Sequence, residues 1–404
     1  MDGQWLSVPV GIDAQRWVTR GDCRTVLVVV HTLASAHRLM DALELIETDP
    51  RVQVVFTQAP DIFHSGVAEF LRAIEGAVLP WQQACRESFD LGLAAAYGGL
   101  HQVHAPMVVL PHGAGHGKLS QPLDSSDRVR SDVYGLDSQR LIRDGRLLVS
   151  ALVLAHDRDL AVLRRQCPPA MRVALVAGDP CFDRLQASLP FRPAYQAALG
   201  VPDDGELVVV SSTWGRQSLF SRNHDLIPQL LDELTPVATR VAALVHPAVW
   251  FGHGPRQIRA WLADCLDAGL LLIGPEVDWR AVIVAADYVV GDHGSVPVYA
   301  AAIGRPVLQT QLPAPSPTAP ESAQALLRRQ APQLVPGRQL AVQLRRARLS
   351  QPTSFADAIA RRLTSHPGEA GNHLRRTLYR LLELPEPGRH RGALPVPVPW
   401  QPVR

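Results

Sequence analysis

The sequence of 404 residues contains no window of about 18 uninterrupted apolar residues, so no membrane-spanning helix is predicted. Its five cysteines are scattered and never spaced C-x-x-C, which argues against a disulfide framework or a zinc site and fits a reducing cytoplasm. The first residues lack a basic segment followed by an apolar core, so no signal peptide is predicted. With 47% hydrophobic and 19% charged residues, the composition is typical of a folded globular protein.

Lysine occurs once, as Lys118, among the 40 basic residues. The net charge of +2 conceals an asymmetry along the chain. From Arg328 to the C-terminus there are 14 arginines against four acidic residues, so this segment carries +10 and the remainder −8. Nucleic-acid binding is not predicted, because no recognisable nucleic-acid-binding module accompanies the basic segment.

Strand and helix patterns alternate along the chain, which predicts parallel sheets covered by helices on both faces, an α/β fold. The strands are continuous apolar runs, as strands buried on both faces require. The predicted strands are 25–30, 52–56, 107–110, 147–154 and 172–176, followed by 207–210, 241–245, 270–273, 288–290 and 306–308. Helices are predicted over 36–47, 193–200, 226–234, 338–348, 354–363 and 372–384.

The strand–helix series starts again near Phe191, so two domains of the same architecture are predicted, over 1–188 and 189–350. A helical, Arg-rich C-terminal extension is predicted over 351–404. Residues 313–320 predict a proline-rich loop. The prolines of 385–404 exclude a helix interior, which leaves an extended arm or a disordered tail.

The first candidate site is the segment PHGAGHGK, residues 111–118, which directly follows a predicted strand. It is not a Walker motif, because His112 stands at the first glycine position and Leu119 at the Ser/Thr position. Its glycines allow close backbone approach to a ligand, and His112 lies where an imidazole can act as a base. The alternatives are a polar turn without chemistry and a metal site of His101, His104, His112 and His116. No carboxylates or thiolates at ligand spacing accompany these histidines, so no metal is predicted.

The second candidate is SSTWGR, residues 211–216, in which hydroxyls, a glycine and Arg216 follow a buried strand. A helix beginning nearby would offer free N–H groups to a phosphate, and Arg216 would add a charge-assisted contact. The alternative is simple helix N-capping, which accounts for one hydroxyl but not for three.

The third candidate is DHGS, residues 292–295, between a predicted strand and a helix of small residues. The backbone of Gly294 and Ser295 at a helix start predicts a phosphate cradle. The alternative is N-capping by Ser295 with a solvated Asp292.

Together these pieces resemble the CDP-glycerol glycerophosphotransferase family, the polymerases and primases of teichoic-acid-like chains. The resemblance covers roughly residues 105–310 and is carried by His112-Gly113 with Lys118, the turn Gly178–Asp183, Ser211–Arg216, His246-Pro247 and Asp292–Ser295. Asp183 keeps the family's acid, whereas Cys181-Phe182 replace an Arg-Asn pair. The DHGS segment in the C-terminal half is also similar to UDP-N-acetylglucosamine 2-epimerases.

The resemblance implies a GT-B architecture of two facing Rossmann-like domains, with the nucleotide donor on the C-terminal one. It implies that Ser212, Thr213, Gly294 and Ser295 hold a diphosphate whose charge Arg216 and His246 offset. His112 is implied as the base that deprotonates an acceptor hydroxyl, and His246 and Asp292 as further catalytic residues. Gly113, Lys118 and Asp183 complete the implied site. No carboxylate pair presents itself as a metal site, so metal-independent chemistry is predicted, and no cofactor is predicted.

The implied function is a transferase of cell-envelope biosynthesis. Its donor is of the CDP or UDP type, and its acceptor is a polyol, a glycan or a lipid-linked molecule. One alternative is a sugar-nucleotide epimerase or hydrolase on the same fold. Another is a scaffold protein that has lost catalysis.

The C-terminal segment carries a leucine stripe at helical spacing, formed by Leu374, Leu378, Leu381 and Leu382. The favoured interpretation is that this stripe packs against the C-terminal domain with the arginines outward, because such stripes usually belong to the core. The alternative is a helix lying on an anionic membrane surface. The predicted location is cytoplasmic, at the inner face of the membrane under that alternative.

Overall fold

The computed structural model describes residues 6, 8–11, 16–61, 66–120, 132–234, 238–311, 318–388 and 392–399. The chain divides into two compact units: Met1–Cys181 with Thr364–Gly392, and Phe182–Leu363 with Ala393–Arg404. This division differs from the predicted one in two places. Residues 182–188 lie with the second unit, and the residues after 350 are shared between both units rather than forming a separate extension.

The first unit contains a parallel sheet in the order β3-β2-β1-β4-β5-β8-β9. Its strands are β1 Arg24–Val30, β2 Val52–Gln58, β3 Val78–Leu79, β4 Leu91–Ala94, β5 Met107–Val109, β8 Ala151–Leu154 and β9 Ala174–Val176. An antiparallel pair, β6 Ile142–Arg143 and β7 Arg146–Leu147, lies outside this sheet. Register in the sheet centre places Val28 of β1 beside Phe56 of β2 and Leu93 of β4.

Strand β4 was not predicted, although it lies at the centre of this sheet between β1 and β5. Its sequence, LGLA, has no β-branched or aromatic residue, so it carries little strand propensity. The glycine has a packing reason, because a Cβ at Gly92 would collide with the side chain of Met107 on β5.

Helices of the first unit cover its sheet: α1 Leu33–Leu43, α2 Val67–Ala73, α3 Trp81–Ala84, α4 Ser138–Leu141, α5 Arg158–Gln166 and α18 Ala370–Leu381. Helix α1 starts at a capping box, in which Thr32 accepts from the Ser35 nitrogen and Ser35 Oγ accepts from the Thr32 nitrogen. Helix α6, Pro180–Ser188, begins where the chain passes to the second unit.

Helix α18 carries the leucine stripe, and Leu374, Leu378 and Leu382 are all buried in the first unit. The prediction that the stripe is buried is confirmed, but the predicted partner is wrong, because the helix belongs to the first unit and not to the C-terminal domain. Arg376 and Arg380 are exposed as predicted, whereas Arg375 is buried and pairs with Glu386. The Tyr379 hydroxyl donates to Asp49 at 2.9 Å and helps hold the helix. The membrane alternative required this leucine face to be exposed, and the structure removes that basis.

The second unit contains a parallel sheet in the order β12-β11-β10-β13-β14. Its strands are β10 Glu206–Ser212, β11 Thr239–Val245, β12 Leu271–Ile273, β13 Tyr288–Gly291 and β14 Val307–Gln309. Its helices are α7 Arg192–Ala198, α8 Leu219–Arg222, α9 Leu226–Leu234, α10 Pro247–His253, α11 Pro255–Trp261, α12 Ala263–Asp267, α13 Trp279–Ala285, α14 Ser295–Ala302, α15 Ala323–Gln330, α16 Leu340–Ser350 and α17 Thr353–Leu363. The apolar face of α9 packs into a core that also contains Val208, Val241 and Trp250.

Residues 393–399 form an extended arm on the second unit. Val396 is buried there: its carbonyl accepts from the Tyr195 hydroxyl at 2.5 Å, and its nitrogen donates to Ser188 Oγ at 2.9 Å. The extended-arm alternative therefore holds for this segment. Residues 389–391 and 400–404 of the predicted tail, and 313–317 of the predicted proline-rich loop, lie outside the described residues.

Within the described part of the chain, no helix combines the length and hydrophobicity that crossing a bilayer requires.

Candidate functional site

Both sheets reverse their strand order at one point, between β1 and β4 in the first unit and between β10 and β13 in the second. Open parallel sheets bind ligands at the carboxyl ends of their strands, at such a switch point. The three segments singled out from the sequence each follow a strand that lies at or next to a switch point. Each unit therefore has its own candidate site, and the two are described separately.

At the switch point of the second unit, Asp292 binds the loop that follows β10. Its Oδ2 accepts from the Thr213 nitrogen at 2.9 Å, the Thr213 hydroxyl at 2.7 Å and the Leu219 nitrogen at 2.9 Å, while Oδ1 accepts from the Gly294 nitrogen at 3.2 Å. The residue is only 1% exposed. These four bonds occupy the acceptor capacity of a carboxylate, so Asp292 is neither solvated nor placed to take a proton from a substrate.

Ser212 has a similar internal role. Its hydroxyl donates to the Thr213 carbonyl at 2.9 Å and accepts from the Phe220 nitrogen at 2.9 Å. The hydroxyl hydrogens of Ser212 and Thr213 are therefore both committed within the protein. A phosphate oxygen needs donors, so the predicted contribution of these two hydroxyls to phosphate binding does not fit this arrangement.

Gly294 and Ser295 lie at the start of helix α14, as the sequence predicts. Gly294 is the N-cap residue and Ser295 the first residue of the helix, so N-capping by Ser295 is not what the structure shows. A Cβ at Gly294 would lie 2.8 Å from Cγ2 of Thr213, so the helix start and the loop after β10 are in close contact. The Gly294 N–H is bonded to Asp292, so the head of α14 offers an anion chiefly the positive end of the helix dipole.

His246 follows β11 and caps helix α10, because its Nδ1 accepts from the Ala248 nitrogen at 3.1 Å. A neutral ring whose Nδ1 accepts must carry its hydrogen on Nε2, so Nε2 is a donor. The His246 backbone nitrogen also donates to the Ser212 carbonyl at 3.0 Å, which joins the ends of β10 and β11. This tautomer suits contact with a phosphate oxygen and not the role of a base.

Two further predicted residues lie in the second unit. Arg216 is exposed in the loop after β10, next to Gly215, whose φ of 85° is in the left-handed region that favours glycine. Asp183 is buried in helix α6 and lies in the second unit. The structure thus brings Ser212, Thr213, His246, Asp292 and Gly294 together at one sheet edge, whereas Arg216 lies on the exposed loop beside it.

A pocket of about 240 Å³, including open solvent, lies beside this edge. Its lining includes Asp292, His293, Gly294, Gln309, Gln324 and Arg328. The last three, which come from β14 and α15, were not predicted from the sequence. Of these three, Gln309 was detectable from the sequence, because it is a polar residue that ends an apolar strand.

In the first unit, His112 lies after β5, and its Nδ1 is 3.1 Å from the Ala95 carbonyl oxygen. A carbonyl only accepts, so Nδ1 carries the hydrogen and Nε2 of the neutral ring is left as an acceptor. Burial, and then the charge of Lys118, lower the pKa of His112 to about 3. The imidazole is therefore neutral at pH 7 and has the tautomer that a base needs, the opposite of His246.

The rest of the 111–118 segment frames this histidine. The Tyr134 ring meets the His112 ring edge to face at 5.8 Å, and the Tyr134 nitrogen donates to the Lys118 carbonyl at 2.9 Å. Lys118 is exposed, and His116 Nδ1 lies 3.4 Å from Asp159. Among the described residues, no three His, Cys, Asp or Glu side chains are grouped closely enough to hold a metal ion, so the four-histidine alternative is wrong.

Two buried residues of the first unit, His31 and Arg38, were not predicted as site residues. His31 follows β1, and its Nε2 donates to the Gly98 carbonyl at 2.7 Å across the switch point. Burial lowers the pKa of His31, so its ring is neutral. Arg38 of helix α1 donates to the Gly113 carbonyl at 3.2 Å and to Asp179 at 3.3 Å. His31 was detectable as a polar residue after an apolar run, whereas Arg38 lies within a predicted helix without any local signal.

No protein-family model matches the sequence, and comparison with curated protein sequences finds no match. Among solved structures the chain is similar to the wall teichoic acid polymerase TagF, with 11% identity over 89% of each chain and a TM-score of 0.59. It is also similar to the UDP-GlcNAc 2-epimerase from Neisseria meningitidis bound to UDP-GlcNAc, with 13% identity over 88% of this chain and 100% of that one, at a TM-score of 0.54. HepE from Anabaena in complex with UDP-glucose is similar at 15% identity over 88% of this chain and 100% of HepE, with a TM-score of 0.52.

At these identities the likeness establishes the fold. The predicted resemblance to a teichoic-acid polymerase and to UDP-GlcNAc 2-epimerases is confirmed at that level. The protein has an α/β fold of the GT-B type, built from two Rossmann-like domains.

Proposed function

We propose that the protein is an enzyme that uses a nucleotide-diphosphate-activated donor to modify an acceptor hydroxyl. The donor is a CDP-glycerol-like polyol phosphate or a nucleotide sugar, and the acceptor is a polyol, a glycan or a lipid-linked molecule of the cell envelope. The observation that carries the proposal is the edge of the second sheet, where Asp292 holds the loop after β10 against the start of α14. The donors that this edge contributes include Nε2–H of His246, and Arg216 lies on the exposed loop beside it.

The diphosphate of the donor is assigned to this edge. The positive end of helix α14, which begins at Ser295, together with Nε2–H of His246 and the guanidinium of Arg216, supplies hydrogen bonds and positive charge, while the Gly294 N–H stays bonded to Asp292. Fixed donors of this kind stabilise the charge that develops on a departing phosphate. Ser212, Thr213 and Asp292 then position these groups and do not touch the reacting atoms. Because the cationic side chains offset the charge, the proposed reaction needs no metal ion.

Acceptor activation is assigned to His112. Its Nε2 removes the proton of the acceptor hydroxyl, and the hydroxyl oxygen attacks the donor. Attack at phosphorus breaks the phosphoanhydride bond and releases a nucleoside monophosphate, whereas attack at an anomeric carbon breaks the glycosidic bond and releases a nucleoside diphosphate. An anionic group bound near Lys118 and Arg38 would offset the charges that depress the pKa of His112, so substrate binding makes the imidazole a stronger base.

Support for a donor of this class also comes from the similar structures. A TagF structure was obtained after a soak with CDPG, and the epimerase and HepE structures contain UDP-sugars. A second candidate function is a sugar-nucleotide 2-epimerase, which the DHGS segment at the head of α14 favours. An epimerase converts its substrate without any acceptor, and this separates it from a transferase.

The test incubates the purified protein with CDP-glycerol, other CDP-alcohols, UDP-sugars and GDP-sugars, each with and without crude cell-envelope acceptor and each with EDTA. Released nucleotides are identified by mass spectrometry. Acceptor-dependent release of CMP supports transfer at phosphorus, and release of UDP or GDP supports glycosyl transfer. Conversion of a UDP-sugar without acceptor would replace the proposal with epimerisation. Absence of any turnover or nucleotide binding would contradict it.

A further inference from the structure

We propose that Arg38 is a positioning residue that fixes the backbone beside His112 by clamping Gly113 to Asp179. The inference rests on the proposed role of His112. It adds a residue that lies far from the candidate motifs in the sequence and that touches no reacting atom.

The clamp is formed by two hydrogen bonds from one buried guanidinium. Nη1 of Arg38 donates to Oδ1 of Asp179 at 3.3 Å, and Nη2 donates to the Gly113 carbonyl at 3.2 Å. The three residues line a pocket of about 280 Å³, including open solvent, with Asp41 and Pro111. All of them lie in the first unit, so the clamp is complete within one compact body.

The far end of the clamp is rigid. Oδ1 of Asp179 also accepts from the Cys181 nitrogen at 2.9 Å, and the Asp179 nitrogen donates to the Thr364 hydroxyl at 3.2 Å. The preceding Gly178 has a φ of 99°, and a Cβ there would lie 2.8 Å from the His366 carbonyl. Asp179 is therefore held by its own backbone and by the segment that returns from the second unit.

The near end of the clamp acts on the catalytic loop. Gly113 directly follows His112, and its carbonyl belongs to the peptide group between Gly113 and Ala114, so holding this carbonyl restrains the backbone one residue beyond His112. The Ala95 carbonyl fixes the ring itself through Nδ1. With both contacts in place, Nε2 has one direction and one protonation state, which is the precondition for accepting a proton from a bound hydroxyl.

The geometry requires arginine rather than a generic cation. A guanidinium presents several N–H groups in a rigid plane and can donate to two acceptors at once. A lysine is a single point charge on a flexible stem, so it can neutralise Asp179 but cannot also hold Gly113 in a fixed direction.

The positive charge of Arg38 also affects the pKa of His112. The groups that face His112 are the cations Lys118 and Arg38, the ring of His116, the Tyr134 ring, and the Ala95 carbonyl. Among these the positive charges of Lys118 and Arg38 both lower the pKa of His112, so loss of Arg38 raises it. A residue that served only the stability of helix α1 would not move this pKa or the ring tautomer.

The test compares R38K and R38M with the matched control R51M. Arg51 forms a similar pair with Asp49 in the same unit but does not contact the 111–118 segment. Because R38M leaves Asp179 without its cation, the double variant R38M with D179N is included to keep a folded protein. Three quantities are measured: kcat, the donor KM, and the His112 tautomer from long-range ¹⁵N–¹H spectra, with H112N used for assignment.

We expect R38K and the double variant to lose roughly tenfold to a hundredfold in kcat with donor KM unchanged within about twofold, since a misplaced base costs rate and not donor affinity. The ring of His112 should change from a single Nδ1–H form to a mixture of tautomers. R51M should lower the melting temperature without either effect. Wild-type kcat and a single tautomer in both R38K and the double variant would overturn the inference. If the wild-type protein itself shows no turnover, the proposed function fails, while the tautomer still decides the role of Arg38.

Discussion

The carboxylate of Asp292 accepts hydrogen bonds from both the backbone nitrogen and the hydroxyl of Thr213, at 2.9 and 2.7 Å. This contact joins the ends of β10 and β13 at the point where the strand order reverses. The first unit has a counterpart, in which His31 joins the ends of β1 and β4 through the Gly98 carbonyl. In each sheet, buried side chains hold the ends of the two strands at the switch point together. The groups proposed to contact a ligand are different ones.

The first prediction concerns Asp292 as an organiser. D292N places an amide hydrogen against groups that are themselves donors, so it should lower the free energy of unfolding by roughly 2–3 kcal/mol and abolish nucleotide binding. T213V removes one of the four bonds and should cost about 1 kcal/mol. Urea denaturation and isothermal titration calorimetry measure the two effects. A stable D292N that binds nucleotide normally but does not turn over would restore a catalytic role for this carboxylate.

The second prediction concerns the close approach at Gly294. In G294A the new methyl group would lie 2.8 Å from the Thr213 side chain, which is held by Asp292 and cannot move without breaking its bond. We expect nucleotide affinity to fall by about tenfold or more, equivalent to ~1.4 kcal/mol of binding free energy. G252A is the matched control, because it lies in helix α10 with nothing within 4 Å of its Cβ position. Equal affinities for the two variants would show that this contact does not shape the site.

The third prediction separates the two nitrogens of His246. In H246N the amide oxygen can take over the helix cap that Nδ1 provides, but no donor remains at the position of Nε2. The variant should therefore fold as stably as the wild type and bind nucleotide about tenfold or more weakly, the value of a hydrogen bond to a charged group. H246A loses both functions and should also be destabilised. An H246N protein with unchanged affinity would remove His246 from the donor site.

The fourth prediction concerns pH and the docking of α18. Hydrogen bonds from Arg51, and another from Tyr379, hold the pKa of Asp49 well below its ordinary value of 3.8. A depressed carboxyl pKa stabilises the folded protein above the unfolded pKa, and this stability is lost as the pH falls toward the folded pKa. D49N should be less stable than the wild type at pH 7, and the difference should shrink below pH about 4. Urea unfolding at pH 7 and pH 3.5 measures this, and a difference independent of pH would contradict it.

The elements that could be predicted are those with strong local patterns. The valine-rich runs after residues 206 and 239 form β10 and β11, and α9 has the predicted bounds of Leu226–Leu234. The apolar run 147–154 was predicted as one strand but divides into β7 and β8, since its first residues pair antiparallel with β6. Strand β4 lacked any propensity signal and is defined by its neighbours in the sheet.

The candidate site, like the fold, could be predicted only in part. Polar residues after strand ends located the sheet edges that carry the candidate segments, but not the switch point of the first unit, because β4 was not predicted. The sequence also does not show which hydrogens the protein itself uses. Asp292, Ser212 and Thr213 were therefore assigned to substrate, although their hydrogen bonds are internal. Arg38 could not be found at all, because its partners lie 75 and 141 residues away in the chain.

The account depends most directly on His112 acting as the base while the nucleotide binds elsewhere. The decisive measurement compares H112A with H101A, an exposed histidine of the same unit, for turnover with CDP-glycerol or the active nucleotide sugar and for nucleotide affinity by calorimetry. We predict that H112A loses at least about a hundredfold in kcat, the usual contribution of a general base. Its nucleotide Kd should stay within about twofold of the H101A value. An H112A protein with full turnover would contradict the assignment of the base and the mechanism built on it.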